Sequence, residues 1–241
     1  MSNPRIEVHD DRSALAAAVA GALVTRITAA QAQGGQPAVA LTGGSVADAL
    51  HRELARLAVS GDGVDVAWSG IDFWWGDERF VPRDSSERNA LAARSAFLDS
   101  AGVDPSRVHE MGSSDDFASV AEAAADYGRE LGAHGGGGFE VVLLGVGPDG
   151  HVASLFPGHP ALEVDDDIAV AVTDSPKPPP ERISLTFPTL NNTRATWLVV
   201  SGSEKADAVA RVLGGEDLPA AHVRGSEETV WFLDREAASA L

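Results

Sequence analysis

The feature that most constrains the fold is an apolar run that breaks into a glycine-rich turn within residues 141–157. A short apolar run bounded by turn residues is typical of a buried strand. The turn carries Asp149 and His151, a carboxylate and an imidazole two residues apart. Because ligands of open α/β sheets bind beyond the carboxyl ends of the strands, this pair is predicted to lie where chemistry takes place.

The same turn matches the spacing of a dinucleotide-binding fingerprint through Gly145, Gly147 and Gly150. That fingerprint requires a long helix that opens at the third glycine and presents its N-terminus to a pyrophosphate. Pro157 would end such a helix after about two turns, and the acidic residues 165–167 come early for a ribose contact. We therefore expect no cofactor, and favour a turn that lets substrate approach the backbone and presents a histidine to it.

Segments of strand and helix character alternate along the chain. Apolar runs predict strands at residues 5–9, 37–41, 71–75, 139–146, 168–173, 183–187, 196–200 and 229–233. Helical spacing predicts helices at residues 10–33, 46–57, 87–100, 115–134 and 204–213, and a short helix after the last strand. This alternation predicts an α/β fold in which helices cover both faces of a mostly parallel sheet.

Polar residues at the predicted helix starts are expected to act as caps. They would accept hydrogen bonds from the free N–H groups of the first turn. Asp10 or Asp11 would cap the first helix, Ser85 or Ser86 the third, and Ser114 the fourth.

Two segments at predicted strand ends are expected to form loops. Residues 76–79 read Gly-Asp-Glu-Arg, and this local sequence favours a salt-bridged surface turn. Residues 174–180 contain four prolines. Because proline lacks the backbone donor that a helix or a central strand needs, this second segment is expected to be a fixed loop.

Composition bounds the number of domains and the compartment. The 241 residues show no linker or internal repeat, so a single domain over residues 1–241 is expected. Zero cysteines exclude disulfides and thiolate metal sites. Residues 1–7 lack the basic and apolar regions of a signal peptide, and we see no run of the roughly 18 apolar residues that a membrane span needs. These observations favour a cytoplasmic protein.

The formal net charge of −18 bears on the partners. Nucleic acids and anionic membranes attract basic proteins, so this charge argues against both as partners. If the ligand is a small anion, the few cations of the chain must be concentrated around its site.

The segment Thr42-Gly43-Gly44-Ser45 lies between a predicted strand and a predicted helix. Glycines let an anion approach the backbone, and a helix start offers free N–H groups and a partial positive charge. These residues therefore form a candidate phosphate seat, although a tight turn with a serine cap would have the same sequence. The segment is not a Walker motif, because no lysine follows the glycines.

Basic residues stand at several predicted junctions between loops and regular elements. Arg79 ends the third strand segment, Arg88 precedes Asn89, and Arg182 and Lys205 begin later elements. A single cation at such a place usually faces solvent. Several cations at strand ends in so acidic a chain favour a convergent anion pocket, and the arginine fork suits phosphate.

His151 has two possible roles. It could be a structural histidine bonded to a backbone carbonyl, but the nearby Asp149 favours function, because a carboxylate fixes the tautomer and raises basicity. Neither a metal site nor a serine hydrolase is expected, since no metal-ligand spacing and no Gly-x-Ser-x-Gly elbow is present. The histidines expected to be structural or at the surface are His109, His134, His159 and His222.

Motifs in a fixed order along the chain together resemble the 6-phosphogluconolactonase family. The motifs are Leu41-Thr42-Gly43-Gly44-Ser45, Trp75-Gly76-Asp77-Glu78-Arg79-Phe80-Val81-Pro82 with Arg88-Asn89, residues 145–157, Glu181-Arg182-Ile183-Ser184-Leu185 and Ser201-Gly202-Ser203-Glu204-Lys205-Ala206. The resemblance implies a three-layer αβα sandwich of the sugar-phosphate isomerase and deaminase type. It also implies cofactor-free hydrolysis of a sugar phosphate lactone in the pentose phosphate pathway, by a protein expected to be a monomer.

The expected roles divide the candidate site residues into two groups. The catalytic group is His151, Asp149 and Arg79, with Arg79 on either the phosphate or the lactone carbonyl oxygen. The substrate-binding and phosphate-binding group is Thr42, Gly43, Gly44, Ser45, Arg88, Asn89, Gly147, Gly150, Arg182 and Lys205.

Two rival functions remain at this point. Related sugar-phosphate deaminases share the glycine turn, but in their pattern a glutamate follows the histidine. Here Val152, Ala153 and Ser154 follow His151, which favours the lactonase. A non-catalytic sugar-phosphate sensor would keep the anion seat without needing the Asp149–His151 pair.

Overall fold

A parallel sheet of six strands forms the centre of the molecule in the computed structural model, which describes residues 4–60, 66–134, 136 and 138–241. The strands within these residues are β1 (Arg5–His9), β2 (Ala38–Leu41), β3 (Asp72–Trp75), β4 (Asp77–Arg79), β5 (Phe139–Leu144), β6 (Ala169–Val172), β7 (Arg182–Leu185), β8 (Thr193–Val200) and β9 (Glu228–Asp234).

The central sheet has the order β1-β9-β8-β5-β2-β3, and the pairs between these described strands are all parallel. All six residues of β5 are buried, as expected for a strand covered on both faces. From β2 the sheet continues outward to β3, whereas from β5 it continues the other way to β8. The boundary between β2 and β5 is therefore a topological switch point, where ligands of such sheets bind.

Helices flank the sheet, which confirms the predicted three-layer α/β fold. The α-helices within the described residues are α1 (Arg12–Ala32), α2 (Ser45–Ser60), α3 (Asn89–Ala93), α4 (Val120–Ala133), α5 (Phe187–Asn191) and α6 (Ala206–Leu213). The expected cap of α1 is confirmed, because the Asp11 carboxylate accepts a hydrogen bond from Ala14 N at 2.9 Å.

Helix α1 is long and apolar enough, by length and composition, to cross a membrane. Its position in the fold accounts for this composition. Leu15, Val19, Leu23 and Ile27 are fully buried, and α1 packs against α2, β5 and β9. We therefore assign α1 as a core helix whose apolar face covers the sheet.

A second sheet, which was not predicted from the sequence, has the antiparallel order β4-β7-β6. The chain passes from β3 to β4 at Gly76. Gly76 N donates to Leu41 O at 2.9 Å, and Leu185 N donates to Gly76 O at 2.8 Å, so Gly76 joins the two sheets. The prediction of a surface turn at residues 76–79 is wrong, because residues 77–79 form β4, in which Asp77 and Glu78 are buried.

The predicted helix at residues 87–100 is also corrected. The α-helix begins only at Asn89 and continues as a π-helix, Arg94–Leu98. Its first N–H groups are satisfied by a residue distant in sequence, because Asn89 N and Ala90 N each donate to the Glu78 carboxylate at 2.8 Å. A carboxylate from β4 therefore replaces the expected serine cap.

Other predicted boundaries shift for local reasons. Ser113 Oγ donates to Asp116 at 2.6 Å in a separate turn, so α4 begins later and is capped by Ser119 instead of Ser114. The short helix expected after β9 is a series of turns, in which Asp234 accepts from Ala237 N. Helix α6 is preceded by a 3-10 turn, Ser203–Lys205, with no side-chain cap.

Candidate active site

A cleft of about 330 Å³ lies where β2, β5 and β8 end and where the second sheet faces them. Its position matches the switch point of the central sheet. The residues that line it are Thr42, Gly43, Gly44, Ser45, Val46, Asp77, Arg79, Asn89, Gly145, Val146, Gly147, His151, Ala153, Lys177, Pro178, Arg182, Val199, Val200, Ser201, Glu204 and Lys205. The structure thus brings together residues from six separate segments of the chain.

The glycine turn after β2 forms one wall of the cleft. Ser45 begins the 16-residue helix α2, and Gly44 has φ +89°, a conformation that glycine adopts without strain. A Cβ on Gly43 would lie 1.9 Å from Asn89 Oδ1, so only glycine allows Asn89 to approach this turn. Thr42 Oγ1 accepts from Gly145 N at 3.3 Å and ties the turn to the end of β5. Free N–H groups at this helix start can bind an anion.

The turn after β5 presents the Asp149–His151 pair. His151 Nδ1 lies 2.5 Å from Asp149 Oδ1, and a carboxylate can only accept, so Nδ1 carries the proton and Nε2 is left to accept one. Gly147 N donates to His151 O at 2.9 Å, which closes the turn. A Cβ on Gly147 would lie 2.0 Å from His151 Nδ1, so the pair requires glycine there.

The charge state of Asp149 follows from its neighbours. Burial acts to raise the pKa of Asp149, but the hydrogen bond from His151 and the charge of Lys177 outweigh burial and hold that pKa well below its usual range. Phe156 packs against the imidazole with ring centroids 4.5 Å apart. The pair is therefore an ionised carboxylate bonded to an oriented imidazole.

Arg79 and Asn89 form a second polar group at the cleft. Arg79 Nη1 donates to Asn89 Oδ1 at 2.6 Å and to Glu87 O at 2.7 Å. Asn89 Nδ2 in turn donates to Asp77 O at 3.0 Å. Arg79 and Asn89 were both predicted from the sequence as site residues, and they lie side by side at the cleft.

Arg182 connects the proline-rich loop to the second sheet. Its guanidinium donates to Lys177 O at 3.1 Å, Pro178 O at 3.0 Å and Pro179 O at 3.2 Å, and lies 5.7 Å from the centre of the Phe156 ring. Burial lowers the pKa of Arg182, and nearby Arg79 adds to this while Asp77 opposes it. Arg182 therefore holds the loop as well as lining the cleft.

Lys177 belongs to this loop and lines the cleft, but it was not predicted from the sequence as a site residue. Its Nζ lies 3.6 Å from Asp149 Oδ1 and 3.3 Å from His151 Nδ1. Lys177 is the one basic residue among residues 174–180. That position, among prolines that fix the loop, was the available signal, but nothing in the sequence shows that the loop folds over the Asp149–His151 turn.

Three predicted site residues do not line the cleft: Arg88, Gly150, and Asp149, which lies behind His151. Arg88 is buried, and its guanidinium donates to Met111 O at 2.6 Å and to Gly112 O at 3.4 Å. It is turned away from the cleft because these carbonyls and Glu78 surround it. Gly150 has φ +83°, and a Cβ there would lie 2.8 Å from the Leu218 side chain, so glycine is required behind the Asp149–His151 turn.

Two carboxylates of β4 support the site. Burial raises the pKa of Glu78, and the charge of Arg88 and three backbone donors only partly offset the rise. Asp77 Oδ2 accepts from Ser154 Oγ at 2.6 Å, and this bond links β4 to the segment after His151. The described residues include no group of three or more His, Asp or Glu arranged to hold a metal ion.

The fold and the cleft define an α/β protein whose switch point combines a glycine anion seat, four cations and an oriented imidazole. The family model described as glucosamine-6-phosphate isomerases/6-phosphogluconolactonase matches residues 10–231, and the chain belongs to this family. The expected resemblance is thus confirmed.

Relatives match over nearly the whole chain. A 6-phosphogluconolactonase of Streptomyces coelicolor is 46% identical over 99% of this chain and 95% of its own length. One of Mycobacterium tuberculosis is 45% identical over 98% of each chain.

Solved structures agree with this assignment. A 6-phosphogluconolactonase from Thermotoga maritima superposes with a TM-score of 0.84 at 29% identity, covering 96% of this chain and 99% of its own. The one from Trypanosoma brucei gives 0.85 at 29% identity, covering 99% and 98%. A monomeric glucosamine-6-phosphate deaminase has a TM-score of 0.82 at 21% identity over 98% and 100% of the two chains, which shows a shared fold alone.

Proposed function

We propose that this protein is a 6-phosphogluconolactonase, which hydrolyses 6-phospho-D-glucono-1,5-lactone to 6-phospho-D-gluconate in the oxidative pentose phosphate pathway. The observation that carries the proposal is the Asp149–His151 pair, whose imidazole lines the same cleft as the glycine seat and its cations. The full-length similarity to proteins of this name supports the choice of substrate.

The phosphate would bind at the glycine seat. The N–H groups of Gly43, Gly44 and Ser45 would donate to its oxygens at the start of α2. Arg182 and Lys205, which line the same cleft, would supply positive charge. Because the phosphate is far along the sugar from the lactone carbonyl, its capture would fix the position of the ring.

The chemical step would use His151 Nε2 as a general base. It removes a proton from water as the water oxygen attacks the lactone carbonyl carbon and forms a tetrahedral intermediate. Asp149 holds the tautomer and stabilises the imidazolium that results. The carbon–oxygen bond of the ring then breaks, His151 returns the proton to the departing ring oxygen, and the open-chain acid forms.

Negative charge develops on the carbonyl oxygen during this attack. Either Arg79 or the backbone N–H groups of residues 147–150 would stabilise it. Arg79 Nη1 is already bonded to Asn89 and Glu87, while its buried Nε has no partner among the described side and main chains. This free donor makes Arg79 available to an oxyanion or to the phosphate.

A direct assay separates this function from its rivals. Proton release from freshly prepared 6-phosphogluconolactone, measured against the rate in buffer, would report lactonase activity. Ammonia release from glucosamine 6-phosphate would report a deaminase, and binding without either product would indicate a sensor. We expect rapid proton release and no ammonia. Lactone opening no faster than in buffer would contradict the proposal.

The proposal also covers the domain organisation, the oligomeric state, the compartment and the cofactor requirement of the protein. We propose that the activity resides in a single domain over residues 1–241. We also propose that the protein acts as a monomer in the cytoplasm and needs no cofactor. Light scattering coupled to size-exclusion chromatography would test the monomer, and full activity after exhaustive dialysis against a chelator would test the absence of a metal requirement.

A further inference from the structure

Lys177 is the cation placed directly at the Asp149–His151 pair. Its Nζ lies 3.6 Å from Asp149 Oδ1 and 3.3 Å from His151 Nδ1. Asp149 Oδ1 is the same oxygen that accepts the hydrogen bond from His151. One carboxylate oxygen is therefore shared between an ammonium and an imidazole, although the Lys177 loop is separated from the catalytic turn by more than twenty residues.

The loop geometry keeps this cation in place. Arg182, which is buried, donates to the backbone carbonyls of Lys177, Pro178 and Pro179. Ser175 Oγ also accepts from Lys177 N at 3.3 Å. The backbone that carries Lys177 is thus fixed from both sides, and the side chain is only partly exposed to solvent.

We propose that Lys177 is a positioning residue that keeps His151 unprotonated, and so ready to act as a base, by opposing the charge of Asp149. The inference rests on the lactonase function proposed above. It predicts that Lys177 determines how far the activity extends toward acid pH.

The charges around the imidazole decide its protonation. Asp149 on the same turn favours the imidazolium, because opposite charges attract. Lys177 opposes it at close range. The remaining charged residues that line the cleft come from β4, β7 and the segment before α6, and they are Asp77, Arg79, Arg182, Glu204 and Lys205.

The protonation of Lys177 also depends on the charged residues around it. Burial lowers the pKa of Lys177, while the ion pair with Asp149 favours its charged form and Lys205 and Arg182 disfavour it. The Asp149 carboxylate therefore stabilises the charged form of Lys177. The Lys177 ammonium in turn reduces how strongly that carboxylate favours a proton on the imidazole. A general base must be unprotonated to act, so this arrangement favours activity at lower pH.

The test is the pH profile of kcat/KM for the lactone, measured from acid to neutral pH on wild type, Lys177→Met and Lys177→Arg. We expect the acid limb of Lys177→Met to move to higher pH by roughly half a pH unit, with Lys177→Arg close to wild type. Lys205→Met is the matched comparison, since it removes a cation from the same cleft without a contact to the pair. It should raise KM and move the limb less.

A structural role for Lys177 would give a different result. It would lower kcat equally at every pH, so an unmoved acid limb in Lys177→Met would overturn the inference while the wild-type activity still supports the lactonase. Lactone opening at the buffer rate by wild type would instead remove the proposed function. If Lys177→Met does not fold, Lys177→Gln and an NMR titration of the His151 ring, compared with wild type, decide the question without using activity.

Discussion

Gly147 shows how a single missing side chain shapes the site. A Cβ at this position would lie 2.0 Å from His151 Nδ1 and 2.5 Å from Asp149 Oδ1, so it would occupy the space of the hydrogen-bonded pair. Gly43 does the same for Asn89 on the opposite wall. Both glycines were predicted as site residues from sequence, Gly43 for the approach of an anion and Gly147 for the approach of substrate to the backbone. The structure shows in addition that Gly43 allows Asn89, and Gly147 allows the Asp149–His151 pair, to lie close to the backbone.

Gly147→Ala should lower kcat by at least ten-fold with a smaller effect on KM, because a displaced imidazole loses its alignment but leaves the phosphate seat intact. Steady-state kinetics would measure the split. Gly21→Ala in α1 is the matched control, since its Cβ meets nothing within 4 Å. It should leave activity unchanged and stabilise the fold by about 0.5–1 kcal/mol. Normal kcat in folded Gly147→Ala would contradict this account of the turn.

At the scale of elements, Asp234 at the end of β9 holds the turn that leads to Lys205. Its carboxylate accepts from Ser201 Oγ at 2.5 Å, from Gly202 N at 3.1 Å and from Ala237 N at 2.8 Å. Arg12 of α1 donates to Ser201 Oγ at 3.0 Å. The position of Lys205 therefore depends on a buried carboxylate outside the cleft.

Asp234→Asn should raise KM several-fold while kcat changes less, because the amide replaces an acceptor with a donor that faces other donors and loosens the Lys205 turn. It should also cost about 1–3 kcal/mol of the free energy of unfolding. Kinetics and urea unfolding measure the two effects, with the exposed Asp217→Asn as control. An unchanged KM would show that this turn does not contribute to phosphate binding.

The sequence predicted the elements of the central sheet well, because its strands are apolar runs separated by helical spacing. It failed at β4, where three polar residues, Asp77, Glu78 and Arg79, form a buried strand through pairing with β7 and hydrogen bonds to α3. Arg88, which was also predicted as a site residue, donates to distant carbonyls and does not line the cleft. These outcomes depend on contacts between segments far apart, which local patterns do not contain.

The same limit applies to the candidate site. The turns around Gly43 and His151 carry their own signals, since glycine spacing and strand ends can be read locally. Lys177 carries almost none, because its role arises only when the proline-rich loop folds onto the turn after β5.

At the scale of the whole molecule, buried His51 links stability to pH. Burial, with a smaller contribution from Arg52, lowers the pKa of His51 to about 4, from an ordinary value of 6.5. The folded protein therefore binds fewer protons than the unfolded chain between these values, and the stability contributed by neutral His51 is lost as pH falls. The expected loss is about 2 kcal/mol between about pH 7 and pH 5.

Urea unfolding of wild type and His51→Leu at these two pH values measures this contribution. The variant should lose less stability on acidification, since leucine has no proton to gain in the unfolded chain. The exposed His222→Gln should behave as wild type. Equal acid sensitivity of wild type and His51→Leu would contradict the linkage.

The role of His151 is measured by the initial rate of ring opening of fresh 6-phosphogluconolactone by wild type, His151→Ala and His222→Ala. Wild type and His222→Ala should open the lactone far faster than buffer. His151→Ala should lose about 10²–10⁴-fold in kcat, the share expected of a general base, while it still binds substrate. A folded His151→Ala protein with near-normal turnover would contradict the account, because the imidazole at the end of β5 would then take no part in the reaction.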